Sequence, residues 1–526
     1  WRLIVAIADV SHYVKPGHPL DSDAISRATS VYFPRRVIPM LPEKISNGLC
    51  SLKPEVDRLC MVCDAVIDMD GEVQAYQFYP AVMHSAQRFT YNTVWEILSN
   101  SNGPEAARFK HLKKNLDRLY SLYKVLRAAR DKRGAIDFET TETQIISNAL
   151  GKIERIEPRV RNEAHRVIEE CMLAANVCAA DFLDKNGHAS LFRVHAEPSA
   201  EKLMTLKQVL RTAGLNLGGA EKPRPKDFAK LIEEIKPRPD ASMLQSVVLR
   251  SMQQAVYQPD NYGHFGLAYP AYAHFTSPIR RYPDLLVHRA IKAILAKKTY
   301  SPNIPADVVL NLAMPKSGPG RVNAANAKKS HEEAKAKPAA KTARGAKAKQ
   351  EASTAMAAWA QLGVHCSSNE RRADEASRDV EAWLKCYYMR DHLGQEYSGT
   401  ITGVATFGLF VQLESLFVEG MIHISELGGD YYQYDEARQE LRGERTGIRY
   451  RLTDRVHVLV SRVDLDARRI EFSLVKPNGD RNGVAGVGVS DRFSVMDSGR
   501  PGRGASAKKS SGKSRSGGAA TKGSAR

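Results

Sequence analysis

The segment YAHFTSPIRRYPDLLVHR, residues 272–289, gathers His274, Phe275, Thr276, Ser277, Arg280, Arg281, Tyr282, Asp284, His288 and Arg289 within eighteen positions. That concentration of cations and hydroxyls suits a phosphate-bearing ligand. Ser277 followed by Pro278 reads as a helix start, with the serine at the N-cap and the proline at the first helical position. Arg280 then falls in the first turn, where free backbone N–H groups and a guanidinium together hold an anion. The competing reading is an Arg281–Asp284 pair that only braces a helix. It leaves the HFTSP lead-in without a role.

Other residues could work beside it. Tyr32 and Phe33 lie in TSVYFPRRVIPMLP, an extended, proline-punctuated stretch. Aromatics there either stack on bases, as single-stranded RNA requires, or sit in a core. Phe138 in GAIDFET carries the same two readings. Glu169 and Glu170 are neighbours on a helix, so both cannot face the core. One is free to accept a hydrogen bond from a ribose 2′-hydroxyl or to lie on the surface. Farther on, ATFGLFV sets Phe407 and Phe410 around Gly408, and His423 follows in EGMIHISEL. Exposed aromatics and a histidine on one face of a small barrel make a stacking platform, with Phe410 alternatively in the barrel core. Cys60-Met-Val-Cys63 has no second pair and reads as strand packing. His12 and His18 show no ligand pattern, and the glycine-rich 483–490 precedes a low-complexity tail rather than a helix.

These residues need elements to hold them. At 526 residues the chain is long enough for two or more domains. Leu3 to Ala8, in WRLIVAIADV, read as a strand buried on both faces. Residues 91–133 read mostly as helix, with Leu112, Leu116, Leu119 and Leu122 at three- to four-residue spacing, and GAIDFETTETQIISN turns strand-like. Residues 163–185 form a long helix. Residues 316–355 are Ala/Lys-rich with few large apolar residues and read as a flexible insertion, after which helix resumes at 368. From about 396 the pattern is short alternating strands, enough for a small barrel, and after Val475 the chain turns Gly/Ser/Lys-rich and disordered in character. The composition, 43% hydrophobic and 26% charged, is that of a globular protein, without a signal peptide or a run long enough to span a bilayer. Seven scattered cysteines suit free thiols in a reducing cytoplasm. The net charge is +18. Residues 316–350 hold ten Lys/Arg against two Glu, and residues 476–526 hold eleven against three Asp. The remainder is therefore nearly neutral, and two basic segments attract polyanions, nucleic acid above all.

With these motifs in view, the sequence resembles the ribonuclease II-type (RNB) exoribonucleases. The resemblance is carried by SVYFPRRVIPMLPEKISNGLCSLKPEVDRLCMV, HRVIEECMLAANV, GHFGLAYPAYAHFTSPIRRYPDLLVHRAI and ERRADEASRDVEAWLKC. The β-rich stretch that follows resembles an S1 RNA-binding domain, an OB-fold, and the basic tail points to one bacterial branch of the family. The resemblance implies a mixed α+β fold: an RNB catalytic domain over 1–395 with the basic insertion at 316–355, an S1 barrel over 396–475 and a disordered basic tail over 476–526. It implies a monomeric, cytoplasmic hydrolase with no membrane contact. Such an enzyme degrades single-stranded, and even structured, RNA processively from the 3′ end to 5′-monophosphate nucleotides with Mg²⁺. Ribosomes and RNA quality-control factors are further partners by the same analogy.

By resemblance, Tyr32 clamps the 3′-terminal nucleotide, Phe138 stacks at the inner end of the RNA channel, and Glu169 contacts ribose. Arg280 holds the scissile phosphate and stabilises charge in the transition state. His274 and Arg281 join them as RNA-binding residues, with Phe407, Phe410 and His423 on the S1 domain. One part of the pattern is missing. The family's metal sits on a D-x-D-D-A-like aspartate cluster shortly before the strand matching WRLIVAIADV, and neither DSD at 21–23 nor DMD at 68–70 matches it. The expectation is an RNB body without its own metal ligands, inactive by itself. The alternative function is an RNA-binding piece that does not cut.

Overall fold

The computed structural model describes residues 1–138, 142–159, 161–238, 240–312, 343–436 and 438–475, with side chains of 343–353 left aside. The expected insertion up to residue 342 and the expected basic tail lie outside the described residues. Trp1–Asn478 packs as one unit.

The body is mixed α+β. Strand Arg2–Ala8 pairs antiparallel with Asp57–Ile67, from Arg2 opposite Val66 to Ala8 opposite Cys60, and Asp57–Ile67 pairs in turn with Val73–His84. The first strand is buried along one face and only toward the Ala8 end of the other, which corrects the expectation of two buried faces. Leu3 packs inward, while Ile4 keeps 53% of its surface exposed. It is an edge strand of a three-stranded sheet, and its outer face is left open around Ile4. Cys60 and Cys63 pack within the middle strand, and all seven cysteines are buried free thiols.

Helix forms at 91–133 as expected, but in three pieces: Tyr91–Ser99, Pro104–Arg108 and Lys110–Arg133. The last ends at Gly134, whose φ of +80° closes the helix in the left-handed region. A Cβ there would meet Lys226 at 2.7 Å, so glycine is also required by packing. The strand-like stretch supplies Thr143–Ser147, paired with Ile153–Pro158.

Helix Glu163–Lys185 has the predicted bounds. Asn162 and His165 form its capping box, and Val167, Cys171, Ala174, Cys178 and Leu183 bury its inner face. This helix backs the sheet and is the spine on which the site is built.

The long helix Ala343–Met389 begins inside the segment expected to be flexible and well before the expected restart at 368. Ala, Lys, Gln and Glu are strong helix formers even where they bury nothing. The anchor comes later, where Trp359, Leu362 and Cys366 are fully buried against the core beneath Tyr282 and Leu285.

The C-terminal strands close into a barrel in the order Glu396–Ala405, Gly408–Leu413, Glu419–His423, Arg469–Leu474, Arg455–Asp464. Leu409, Val411 and Leu413 alternate into its core with Ile401, Ile422, Val458, Val460 and Phe472. A separate three-stranded sheet, Tyr432–Asp435, Glu440–Gly443 and Arg449–Arg451, interrupts the barrel. Among the described residues no helix is long and apolar enough to cross a membrane.

Candidate nucleic-acid interface

The 272–281 loop is held from three sides. From the 163–185 helix, the Asn176 side-chain amide donates to the Tyr272 hydroxyl (2.9 Å), and its carbonyl oxygen accepts from the Phe275 N–H (2.8 Å). From helix Tyr282–Leu295, His288 Nε2 donates to the Phe275 carbonyl at 2.8 Å. From the N-terminal segment, the Ser30 N–H donates to the Arg280 carbonyl at 2.9 Å, and the Tyr282 N–H donates to the Ala28 carbonyl at 2.8 Å.

The helix does not start where expected. Residues 277–280 form a turn, with the Arg280 and Arg281 N–H groups both donating to the Ser277 carbonyl. The helix begins at Tyr282, with extended Arg281 at the N-cap and Pro283 in the first turn. Its N-terminus already faces an anion: Asp284, fully buried, accepts from the Ser277 N–H at 2.7 Å and from the Arg281 guanidinium at 2.8 Å through both oxygens. The bracing alternative therefore holds for Arg281, and it corrects both the Ser277 N-cap and the placement of Arg281 among ligand-facing residues. The SP signal misleads because the second proline, Pro283, sets the start.

Most other charged groups of the segment are also tied internally. His274 is hydrogen-bonded to the Tyr257 hydroxyl at 2.8 Å, and burial, with Arg281 and Arg193 nearby, holds it well below the ordinary imidazole range. That neutral, partnered ring is a scaffold group rather than the RNA contact expected. His288 is pushed down to about 4, by burial above all. Arg289 donates to Asp21 and the Val14 carbonyl, both at 2.8 Å, and Asp21 also accepts from the Tyr282 hydroxyl. Arg280 differs. Its backbone is stitched down, but its guanidinium is exposed and has no partner among the described residues.

The same stitch carries Tyr32. Thr29 bridges Arg281, and directly after Ser30 the chain forms the hairpin Val31–Tyr32 with Val37–Ile38. Ser377 of the long helix donates to the Tyr32 carbonyl at 3.0 Å. The Tyr32 side chain is half exposed, so the core reading fails for it, and it shares an anchored backbone with Arg280.

Phe138 and Glu169 meet in one cleft of about 280 Å³, lined also by Arg127, Arg130, Asp137, Arg159, Arg161, Arg166 and Glu170. Glu170 takes the inward position, and burial lifts its carboxyl above the ordinary range despite Arg130 at 2.8 Å. Glu169 is half exposed between Arg130 and Arg161, each at 3.0 Å. Arg130 thus orients both carboxylates. Its one sequence signal was its place on the 110–133 helix, which names no partner.

On the barrel, Phe407, Phe410 and His423 line a cleft of about 560 Å³ with Glu419, Met421, Arg468 and Arg469. Phe410 lies on the outer face, between the inward Leu409 and Val411, so the barrel-core alternative is overturned. Phe407 and Phe410 pack edge to face at 6.0 Å. Gly408, φ +155°, faces His423 in register, and a Cβ there would meet the Ile422 carbonyl at 2.2 Å. Arg468 and Arg469 were missed, since the strand that returns them is remote in sequence.

Asp21 and Asp23 are bonded to Arg289 and Arg27, and Asp68 caps its own turn. Among the described residues no group of three or more His, Cys, Asp or Glu side chains could hold a metal. The residues described do not fit the expected Mg²⁺.

Fold and clefts together define a class: an α+β body that carries a loop-held arginine, joined to an S1-type barrel. Residues 1–297 match the RNB domain and residues 390–474 the S1 RNA binding domain. The chain therefore belongs to the RNB family. It is 48% identical over 475 residues to ribonuclease R of Escherichia coli (strain K12) and 47% identical over 476 residues to that of Vibrio cholerae serotype O1. Each alignment covers 90% of this chain and 53% of the relative. Among solved structures, apo Mycoplasma genitalium RNase R superposes with a TM-score of 0.74 at 26% identity, covering 90% of this chain and 67% of that one. The same enzyme in complex with ribose-methylated single-stranded RNA gives 0.73 at 27%, with the same coverage. The chain spans about half the length of the curated relatives it matches.

Proposed function

We propose that this chain is the RNA-holding body of a 3′–5′ exoribonuclease that acts processively on single-stranded RNA and releases 5′-monophosphates. The observation that carries this reading is Arg280. Of the cations in 272–289, it alone among the described residues lacks a protein partner, on a backbone fixed from three sides. A preorganised guanidinium of this kind suits a phosphodiester whose charge grows in the transition state. Tyr32, on the same stitch, stacks on the terminal base, Glu169 accepts from a ribose hydroxyl, and Phe138 stacks deeper in the cleft. The barrel cleft of Phe407, Phe410 and His423 grips upstream nucleotides.

Metal-assisted hydrolysis needs carboxylates that the described residues do not supply. That misfit favours a second reading, in which the chain binds RNA without cutting it. Purified chain and 5′-labelled single-stranded RNA test both readings. Retention of RNA on a filter with little shortening in Mg²⁺ is the expected result. Brisk Mg²⁺-dependent shortening to mononucleotides would remove the second reading, and failure to retain RNA would overturn both.

A further inference from the structure

Trp383 and Tyr387, one turn apart on the long helix, stack with ring centroids 5.5 Å apart and planes within 18°. The Arg390 guanidinium lies 4.3 Å over the Tyr387 ring. Trp383 and Tyr387 keep 42% and 39% of their surface exposed, so this column stands in water. It does not attach the helix. Cys386 and Met389 do that, both buried against the barrel core with Leu384 and Tyr388 packed beside them. The far face of Trp383 has no ring or guanidinium partner among the described residues.

Helical side chains lean toward the N-terminus, so that free face looks toward Asp379, one turn earlier on the same stripe. Asp379 is paired to Arg468 at 2.8 Å, and Arg468 lines the barrel cleft. The pair is exposed on both sides and therefore weak, so a phosphate can take Arg468 from it. From Asp379 to Tyr387 the stripe runs ~12 Å along the helix, and Arg390 follows it in the next short turn. It offers a guanidinium, an open aromatic plane and a second guanidinium, continuous with the aromatic cleft.

We propose that Trp383, backed by Tyr387 and Arg390, is a base-stacking shelf for the nucleotide that lies beyond the barrel cleft. Single-stranded RNA then runs from Phe410 across Arg468 onto the helix. A stacked plane suits any base, so the shelf extends grip without adding sequence preference. The proposal rests on the RNA-binding reading above and adds a site to it.

The test uses the full chain and fluorescent oligouridylates of about four to about twelve nucleotides, a range set by single-strand site sizes. Trp383→Ala is expected to weaken the longest oligomers roughly tenfold, as loss of one stacked base does, and to leave the shortest unchanged. Trp383→Phe restores most of the loss, and both variants melt like the parent. Equal affinities for parent and Trp383→Ala at every length would overturn the shelf while leaving RNA binding intact. So would an equal loss at every length. No binding by the parent overturns the shelf and the RNA reading together. Lost self-association of Trp383→Ala in sedimentation, with RNA affinity unchanged, would overturn the shelf and assign the stack to a second copy of the chain.

Discussion

The 272–289 segment and the barrel cleft build their proposed ligand surfaces by opposite routes. In the first, nearly every polar group is bound inside the protein, and the functional candidate is the cation left over. Asp284, His274, His288 and Arg289 are buried or nearly so, with named partners. In the barrel cleft, a finished apolar core supports the outer face, and strand parity alone presents Phe410 there. Substitutions near Arg280 should therefore reveal a polar network, whereas substitutions in the barrel cleft should act almost only on ligand.

The largest effect expected is at Asp284. Asp284→Ala strands the buried Arg281 guanidinium and the Ser277 N–H, which is destabilising by about 3–5 kcal/mol. Urea denaturation checks it. A loss under about 1 kcal/mol would mean that water replaces the carboxylate and the loop is less closed than its geometry shows.

Arg280→Ala separates the two roles within the segment. Its exposed guanidinium has no partner, so stability should change by less than ~0.5 kcal/mol. In a cleaving form of the enzyme that includes the metal ligands, turnover should fall about 10²-fold or more while RNA affinity falls far less. Single-turnover kinetics beside equilibrium binding measure both. Equal losses would make Arg280 an anchor only.

Phe410→Ala sharpens the other side. RNA affinity should drop by about 1–3 kcal/mol, the range for losing a stacked base, with the barrel's melting temperature nearly kept. A large stability loss instead would return Phe410 to the core and erase the contrast between the two regions.

What the sequence disclosed follows the same division. The 163–185 helix, the barrel and its aromatic platform were legible, because periodicity and parity are local signals. The helix start was not. Ser277-Pro278 and Arg281-Tyr282-Pro283 both carry a proline signal, and the choice depends on Ala28 and Ser30, some 250 residues away, which hold the turn. The exposure of Ile4 on strand Arg2–Ala8 was missed because an apolar residue on an open part of a sheet face reads like core. Arg130 and Arg468 were missed because their roles exist only across tertiary contacts.

The smallest expected effect reads the buried network through pH. His288 is held neutral, near 4 when folded against an ordinary value of 6.5. Between those values the unfolded chain binds the proton and the folded one does not, so stability rises with pH through the window and is lost as pH falls from about 6.5 toward 4. His274 is shifted the same way and adds to the slope. Glu170, lifted by burial, acts oppositely, since its contribution is lost as pH rises above the ordinary carboxylate range. His288→Gln keeps a donor for the Phe275 carbonyl and removes the titration. Thermal melts from pH 7 to pH 5 should show the parent losing roughly 1–2 kcal/mol more than this variant. Parallel curves would mean that protonated His288 finds a partner. Its Nδ1 is buried without one, which is why His288, packed under the loop from its helix, should report on folding.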